Sequence, residues 1–272
     1  MKIIRYLDPT GATRLAAEVA PGQHRVIRGD LFGSREVTGE VAQVSQLLAP
    51  LAPTQILGVG LNYRRHAAES GMKEPTHPVL FFKGLNTLQH PLAPIELPRH
   101  LPSAEVDYEC ELAVVIGRTC KNVSKARALD YVLGYTCAND VSARDWQLKL
   151  GGGQWCRGKT FDTFTPLGPC LVTADEITDP AKLQIRTVLN GQTVQDWSTG
   201  DMIFDIPTLI EFLSGSSTLL PGTVILTGTP HGVGMAAKPT PRWLKAGDQV
   251  SIEVDRIGVL TNPVIDESPA RA

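Results

Sequence analysis

No apolar run in this sequence is long enough to cross a bilayer. The opening MKIIRYLDPTGATR meets Asp8 and Pro9 before an apolar region of signal-peptide length can form, so no secretory leader is read there. Neither sign of charge dominates: 26 Lys and Arg stand against 28 Asp and Glu, and no basic stretch interleaves with aromatics, which argues against nucleic acid as a partner. Cysteine is sparse. The five present are odd in number and lack C-x-x-C spacing, so they read as free thiols in a reducing compartment, and a cytoplasmic, soluble protein is expected. Internal repeats, low-complexity tracts and a coiled-coil seam are missing too. Strand patterns do not alternate regularly with helical ones, which argues against Rossmann and TIM architectures.

What is present suffices for a substantial core, since 272 residues can form one large domain or one domain with a small appendage. Residues 1–52 read as a small N-terminal domain, with Lys2 to Leu7 and Ala12 to Val19 pairing across the turn at Asp8–Gly11. Val41, Val44, Leu47 and Leu48 recur at helical spacing, which predicts a short helix before Pro50. Residues 53–272 are mostly strands punctuated by Gly and Pro. Gln55 to Gly60 and Thr223 to Thr227 read as buried strands, and Val250, Ile252 and Val254 as one face of a half-buried strand. Leu183 to Leu189 and Gln192 to Trp197 flank Asn190-Gly191, a strong type I′ hairpin signal. One helix is expected from Ser124 to Gly134 and another from Asp205, with Pro207 in its first turn. The expected class is α+β, rich in β.

Three carboxylates carry the chemistry: Glu109 and Glu111 in VDYECELAVVIG, and Asp140 in CANDVSARD. In an extended strand Glu109 and Glu111 share a face, and the apolar run from Leu112 to Ile116 suggests a strand entering the core. Carboxylates crowded beside a core repel and lose hydration unless a divalent cation sits among them, and hard oxygen ligands suit Mg²⁺ or Mn²⁺. A solvated strand face accounts for the same spacing. Asp107 lies on that face as well and shows that the pattern alone does not decide.

Other constellations stand nearby. If the chain is helical from Tyr63, His66 and Glu69 lie at i and i+3, where a carboxylate can prepare an imidazole as a general base; an exposed charge pair gives the same pattern. The run from Gly153 to Thr160 fits the P-loop expression, but a polar segment precedes it and Phe161–Pro169 cannot form the helix that holds phosphates. A nucleotide-binding protein is disfavoured, and Lys159 is kept as a cation able to stabilise an oxyanion or enolate. The loop Thr227–Gly234 offers a hydroxyl and backbone amides able to hold a carboxylate; a tight surface turn is the alternative.

Taken in order, GVGLNYRRHAAE, VDYECELAVVIG, NDVSARDWQ, GKTFDTFTPLGP and LTGTPHGVG resemble the fumarylacetoacetate hydrolase superfamily over roughly residues 55 to 265, closest in motif to its oxaloacetate tautomerase and acylpyruvate hydrolase branch. The resemblance implies a mixed β-roll catalytic domain behind a small N-terminal domain, usually in a homodimer. It implies Mg²⁺ or Mn²⁺ on Glu109, Glu111 and Asp140, an active-site Lys159, and a His66–Glu69 dyad on a mobile lid. Gln147, Thr229 and Gly232 are the implied substrate contacts, and Cys110 is expected to face away as a packing residue. The implied chemistry acts on small 2-oxo acids through a metal-stabilised enolate. Enol–keto tautomerisation of oxaloacetate is the first expectation; C–C hydrolysis of acylpyruvates and decarboxylation of oxaloacetate are the alternatives.

Overall fold

The structure, a computed structural model, describes residues 1–268; residues 269–272, the end of the expected catalytic domain, lie outside the described residues. The protein is α+β and rich in β. Ten strands of the larger, twelve-stranded sheet run in the order Arg35–Val41, Gln23–Gly29, Thr13–Ala20, Lys2–Leu7, Thr165–Thr173, Val132–Asn139, Cys110–Ile116, Thr223–Leu226, Gln55–Gly60 and Val79–Lys83. Most neighbours are antiparallel, but Thr223–Leu226 pairs parallel with Gln55–Gly60, so the sheet is mixed. A five-stranded sheet holds the Gln184–Leu189 and Gln192–Ser198 hairpin, followed by Gln249–Val254, Gly258–Asp266 and Ile95–Leu97.

The Cys110–Ile116 strand is buried along its whole length, as its unbroken apolar run requires. Strand alternation divides its side chains between two cores. Cys110, Leu112, Val114 and Ile116 join the larger cluster with Ile185 and Ile252 of the smaller sheet. Ala113 and Val115 join a second cluster with Ile3 and Ala17 of the N-terminal strands and with Leu51. The same period of two sends Glu111 away from Cys110. Lys2–Leu7 pairs antiparallel with Thr165–Thr173, so the N-terminal strands continue the sheet that carries Glu111.

Several local expectations are met. Asn190 and Gly191 both take positive φ, +50° and +78°, as a type I′ turn demands. Asp205 caps the Ile206–Ser214 helix by accepting from the Thr208 amide at 2.9 Å, and Ile206, Leu209, Ile210 and Leu213 form its buried face.

Two expectations fail. The helix predicted over Val41 to Leu48 is absent: Val41 ends a strand, and Gln46–Leu48 pairs with Arg5–Leu7, whose edge offers backbone partners that so short a helix could not match. The Ser124 helix is a 3-10 segment, Lys125–Tyr131, and Gly134 lies inside the next strand. Glycine is needed there because a Cβ would sit 2.2 Å from the Val172 carbonyl oxygen. Among the described residues no helix is long and apolar enough to cross a membrane.

Ile116 is fully buried on the central strand. Ile116→Ala is expected to lower the unfolding free energy by about 2–5 kcal/mol, read from a urea titration with an unchanged m-value.

Candidate active site

Two chain segments bring the carboxylates together. Glu109 precedes the Cys110–Ile116 strand, Glu111 is its second residue, and Asp140 follows the end of Val132–Asn139, which is registered as Cys110 opposite Asn139. The Asp140 amide donates to the Glu109 carbonyl at 3.0 Å, and the Asn139 side-chain oxygen accepts from the Glu109 amide at 3.0 Å. One oxygen from each carboxylate lies within 4.8 Å of the others, and all three residues are buried.

Cations surround two of the three. Lys159 Nζ lies 2.9 Å from Glu109 Oε2 and 2.7 Å from Asp140 Oδ2. Arg144 Nη2 stands 2.7 Å from Glu109 Oε1, and Lys83 Nζ donates to Asp140 Oδ1 at 2.5 Å. Asp107, on the same face, is consumed elsewhere: it pairs with Arg144 and accepts from the Gly234 and Met235 amides at 2.7 and 3.0 Å. Glu111 forms no ion pair among the described residues. Among the described residues its polar partner is the Gly228 amide, 2.7 Å from Oε2. Gly228 sits at φ +95°, and a Cβ there would crowd the Asn62 Cβ at 2.8 Å, so this approach requires glycine.

The electrostatics follow from that census. Burial opposes ionisation of Glu109, but Lys159 and Arg144 outweigh it and hold the carboxyl below the ordinary range. For Glu111 the Lys159 charge and the Gly228 amide act in the same direction but do not suffice. Burial, then the Asp140 and Glu109 charges, pushes it well above the usual carboxylate value. Burial lowers Lys83, whereas for Lys159 the Asp140 and Glu109 charges overcome burial and raise it. Four buried carboxylates against Arg144, Lys159 and Lys83 leave one negative charge uncompensated. A divalent cation fits this donor set: hard oxygens, one of them on an unpaired buried carboxylate, each with lone-pair capacity beyond its present bonds.

The cluster forms the floor of a cavity of about 160 Å³ that also admits His66, Gln147, Lys159 and Thr229. Its other wall is apolar, with Met72, Phe81, Leu148 and Trp155. His66 lies in the Arg64–Glu69 helix, and its Nδ1 is 2.9 Å from Glu69 Oε1. Gln147 Oε1 accepts from Arg144 at 3.0 Å. Thr229 Oγ1 accepts from Gln195 Nε2 at 2.9 Å. Gly232 is placed differently from its expected neighbours: its amide donates to both oxygens of Glu69 at 3.0 Å. Cys110 is buried in the larger core, opposite the carboxylates.

The P-loop alternative meets a geometric obstacle. The Cys156–Lys159 helix ends at Lys159 where a P-loop helix would begin, and Lys159 Nζ is bonded to carboxylates.

Residues 55–265 match the family model for fumarylacetoacetate (FAA) hydrolase, C-terminal. The chain belongs to the fumarylacetoacetate hydrolase family. It is 50% identical over 220 residues to a mitochondrial oxaloacetate tautomerase of Xenopus laevis, covering 80% of this chain and 68% of that one. A putative hydrolase of Burkholderia ambifaria is 49% identical over 95% of this chain and 96% of its own. Among solved structures, the 5-carboxymethyl-2-hydroxymuconate delta-isomerase of Mycobacterium smegmatis superposes with a TM-score of 0.85 at 42% identity, over 98% of this chain and all of the other. The protein is therefore an enzyme of the fumarylacetoacetate hydrolase family.

Sequence reading gave no role to Lys83, Arg144, Asn139 or Gln195. Lys83 ends the strand VLFFK, where only its register with buried Phe81 signals an inward cation. Gln195 is buried in a hairpin otherwise read as ordinary, yet it accepts from the Cys110 amide and the Thr187 hydroxyl while donating to Thr229 and Pro230.

The raised pKa of Glu111 predicts a signed effect on stability. The folded state disfavours its charged form, so the metal-free protein loses stability as pH rises above the ordinary glutamate value of 4.5. Glu111→Gln is expected to unfold at a higher temperature than wild type in EDTA at pH 8, with the gain vanishing near pH 4.5. Its Mg²⁺ affinity by calorimetry is expected to fall by more than the roughly 10–100-fold that loss of an outer partner costs.

Proposed function

We propose that this enzyme interconverts the enol and keto forms of a small 2-oxo acid, oxaloacetate first, with Mg²⁺ or Mn²⁺ held by Glu109, Glu111 and Asp140. The observation that carries the reading is Glu111, a buried carboxylate without a cation, facing the same cavity as His66 and Lys159. Bound there, the ion would supply a Lewis acid for negative charge at the 2-oxo oxygen.

The chain's own groups account for the rest. Lys159 places a second positive charge beside that oxygen. Gln147 and Thr229 hold the substrate carboxylate, and Gly232 serves by fixing Glu69. Glu69 engages His66 Nδ1, which orients the ring and leaves Nε2 to carry protons. In ketonisation one proton leaves the enol oxygen and one is added at C3, and no bond between heavy atoms breaks. The apolar wall limits water around the exchange.

C–C hydrolysis of an acylpyruvate is the second reading. The His66–Glu69 pair favours it, because the same base could activate water against a 4-oxo group. Decarboxylation of oxaloacetate is a further exit from the same enolate chemistry. The reading includes a 53–272 catalytic domain behind a 1–52 domain, supported by a family match that begins at residue 55. It includes a homodimer, supported by Leu80 and Phe82, 40% and 55% exposed on the edge strand Val79–Lys83. Five free thiols accord with a reducing compartment, the cytoplasm on this reading.

Enol-oxaloacetate absorbance, followed with Mg²⁺ and with EDTA while pyruvate is assayed in the same sample, tests the assignment. Fast metal-dependent loss without pyruvate is expected; no acceleration over buffer would reject tautomerisation. Lys159→Ala is expected to keep Mg²⁺ binding by calorimetry and to lose turnover roughly 10²-fold. Near-normal turnover would remove Lys159 from the mechanism.

A further inference from the structure

The helix that carries His66 and Glu69 has little means of its own to persist. It spans six residues, Arg64–Glu69, and Tyr63 at its N-terminus provides no side-chain cap. Its first turn holds two arginines and no acidic residue, which places positive charge against the positive end of the helix. Helices this short are unstable without tertiary support.

The support comes from the corner at residues 197–204, after the Gln192–Ser198 strand. Asp201 Oδ2 accepts from the Arg65 amide at 3.1 Å. Arg64 Nη1 donates to the Met202 carbonyl at 2.7 Å, and Tyr63 bridges to Met202. Asn62, fully buried, accepts from the Ile203 and Phe204 amides at 2.7 and 2.8 Å. The Arg65 guanidinium lies 3.7 Å from the centre of the Trp197 ring. Trp197 in turn meets His231 edge-on, with ring centres 5.1 Å apart, and the next residue is Gly232, whose amide holds Glu69. Both ends of the helix thus converge on Trp197.

We propose that Trp197 and Asp201 are positioning residues for the His66–Glu69 pair, acting through Arg65. Neither residue lines the cavity. Trp197 supplies the face on which Arg65 packs, and Asp201 supplies the carboxylate that the first turn lacks. The helix docks over the cavity when this corner is intact and frays when it is not. The proposal rests on reading His66 and Glu69 as the proton-transfer pair.

Hydrogen exchange of the full-length, Mg²⁺-loaded enzyme tests it, with turnover of enol-oxaloacetate measured on the same samples. Trp197→Ala and Asp201→Asn are each expected to speed exchange at residues 64–69 by about 10-fold or more. They are expected to lower kcat by about 10- to 100-fold while the Mg²⁺ Kd stays near wild type, and in Asp201→Asn the global unfolding midpoint stays there too. Trp197→Phe keeps an aromatic face under Arg65 and is expected to restore most of both. Unchanged exchange at residues 64–69 in Asp201→Asn and in Trp197→Ala would overturn the proposal. His66→Ala tests the underlying reading separately: if it turns over normally, the pair is not the base, whatever the exchange data show.

Discussion

Glu111 lies buried beside Glu109 and Asp140, and among the described residues no lysine or arginine pairs with it. Around it Arg144, Lys159 and Lys83 compensate three of four buried carboxylates, and the fourth charge is left over. A charge in a dry interior either finds a counter-charge or gives up its ionisation. The rest of the site is arranged around that one deficit. The cations fix Glu109 and Asp140 in place, and Gly228 closes one side of Glu111 with a backbone amide that carries no charge of its own.

Holding such a cluster requires a rigid frame, and the sheet provides it. The carboxylates come from adjacent antiparallel strands, where register rather than side-chain choice sets their separation. Gln195 reaches across from the smaller sheet to tie the start of the Cys110–Ile116 strand to the Thr229 loop. Asp107 does similar work from the other side, taking the amides of Gly234 and Met235 and one edge of Arg144. Its bonds are taken up in holding Arg144 and the Gly234 loop. Its resemblance to Glu109 in the sequence conceals that difference.

The His66–Glu69 helix is built on another principle. The clustered carboxylates are fixed by strands buried on both faces, whereas this helix is attached at its two ends through a few polar bonds and one cation–aromatic contact. Enzymes commonly draw the elements that move during turnover from the less stable part of the fold. Gly232 illustrates the economy of the arrangement. Its amide joins the loop that borders the cavity to the Glu69 carboxylate.

By itself the sequence determined the β-rich class, the hairpin at Asn190-Gly191, the capped helix at Asp205 and the shared face of Glu109 and Glu111. These are local or periodic properties: turn chemistry, capping and a strand's period of two are written in neighbouring residues. The family was legible as well, because its motifs occur in order along one chain. Tertiary structure alone decided the partners. Whether Val41 to Leu48 formed a helix depended on an open strand edge at Arg5–Leu7, which no local pattern announces. Lys83 is 57 residues from Asp140, and Gln195 is 85 from Cys110. Such pairings depend on which strands become neighbours, and that is settled by packing the whole core rather than by any segment of it.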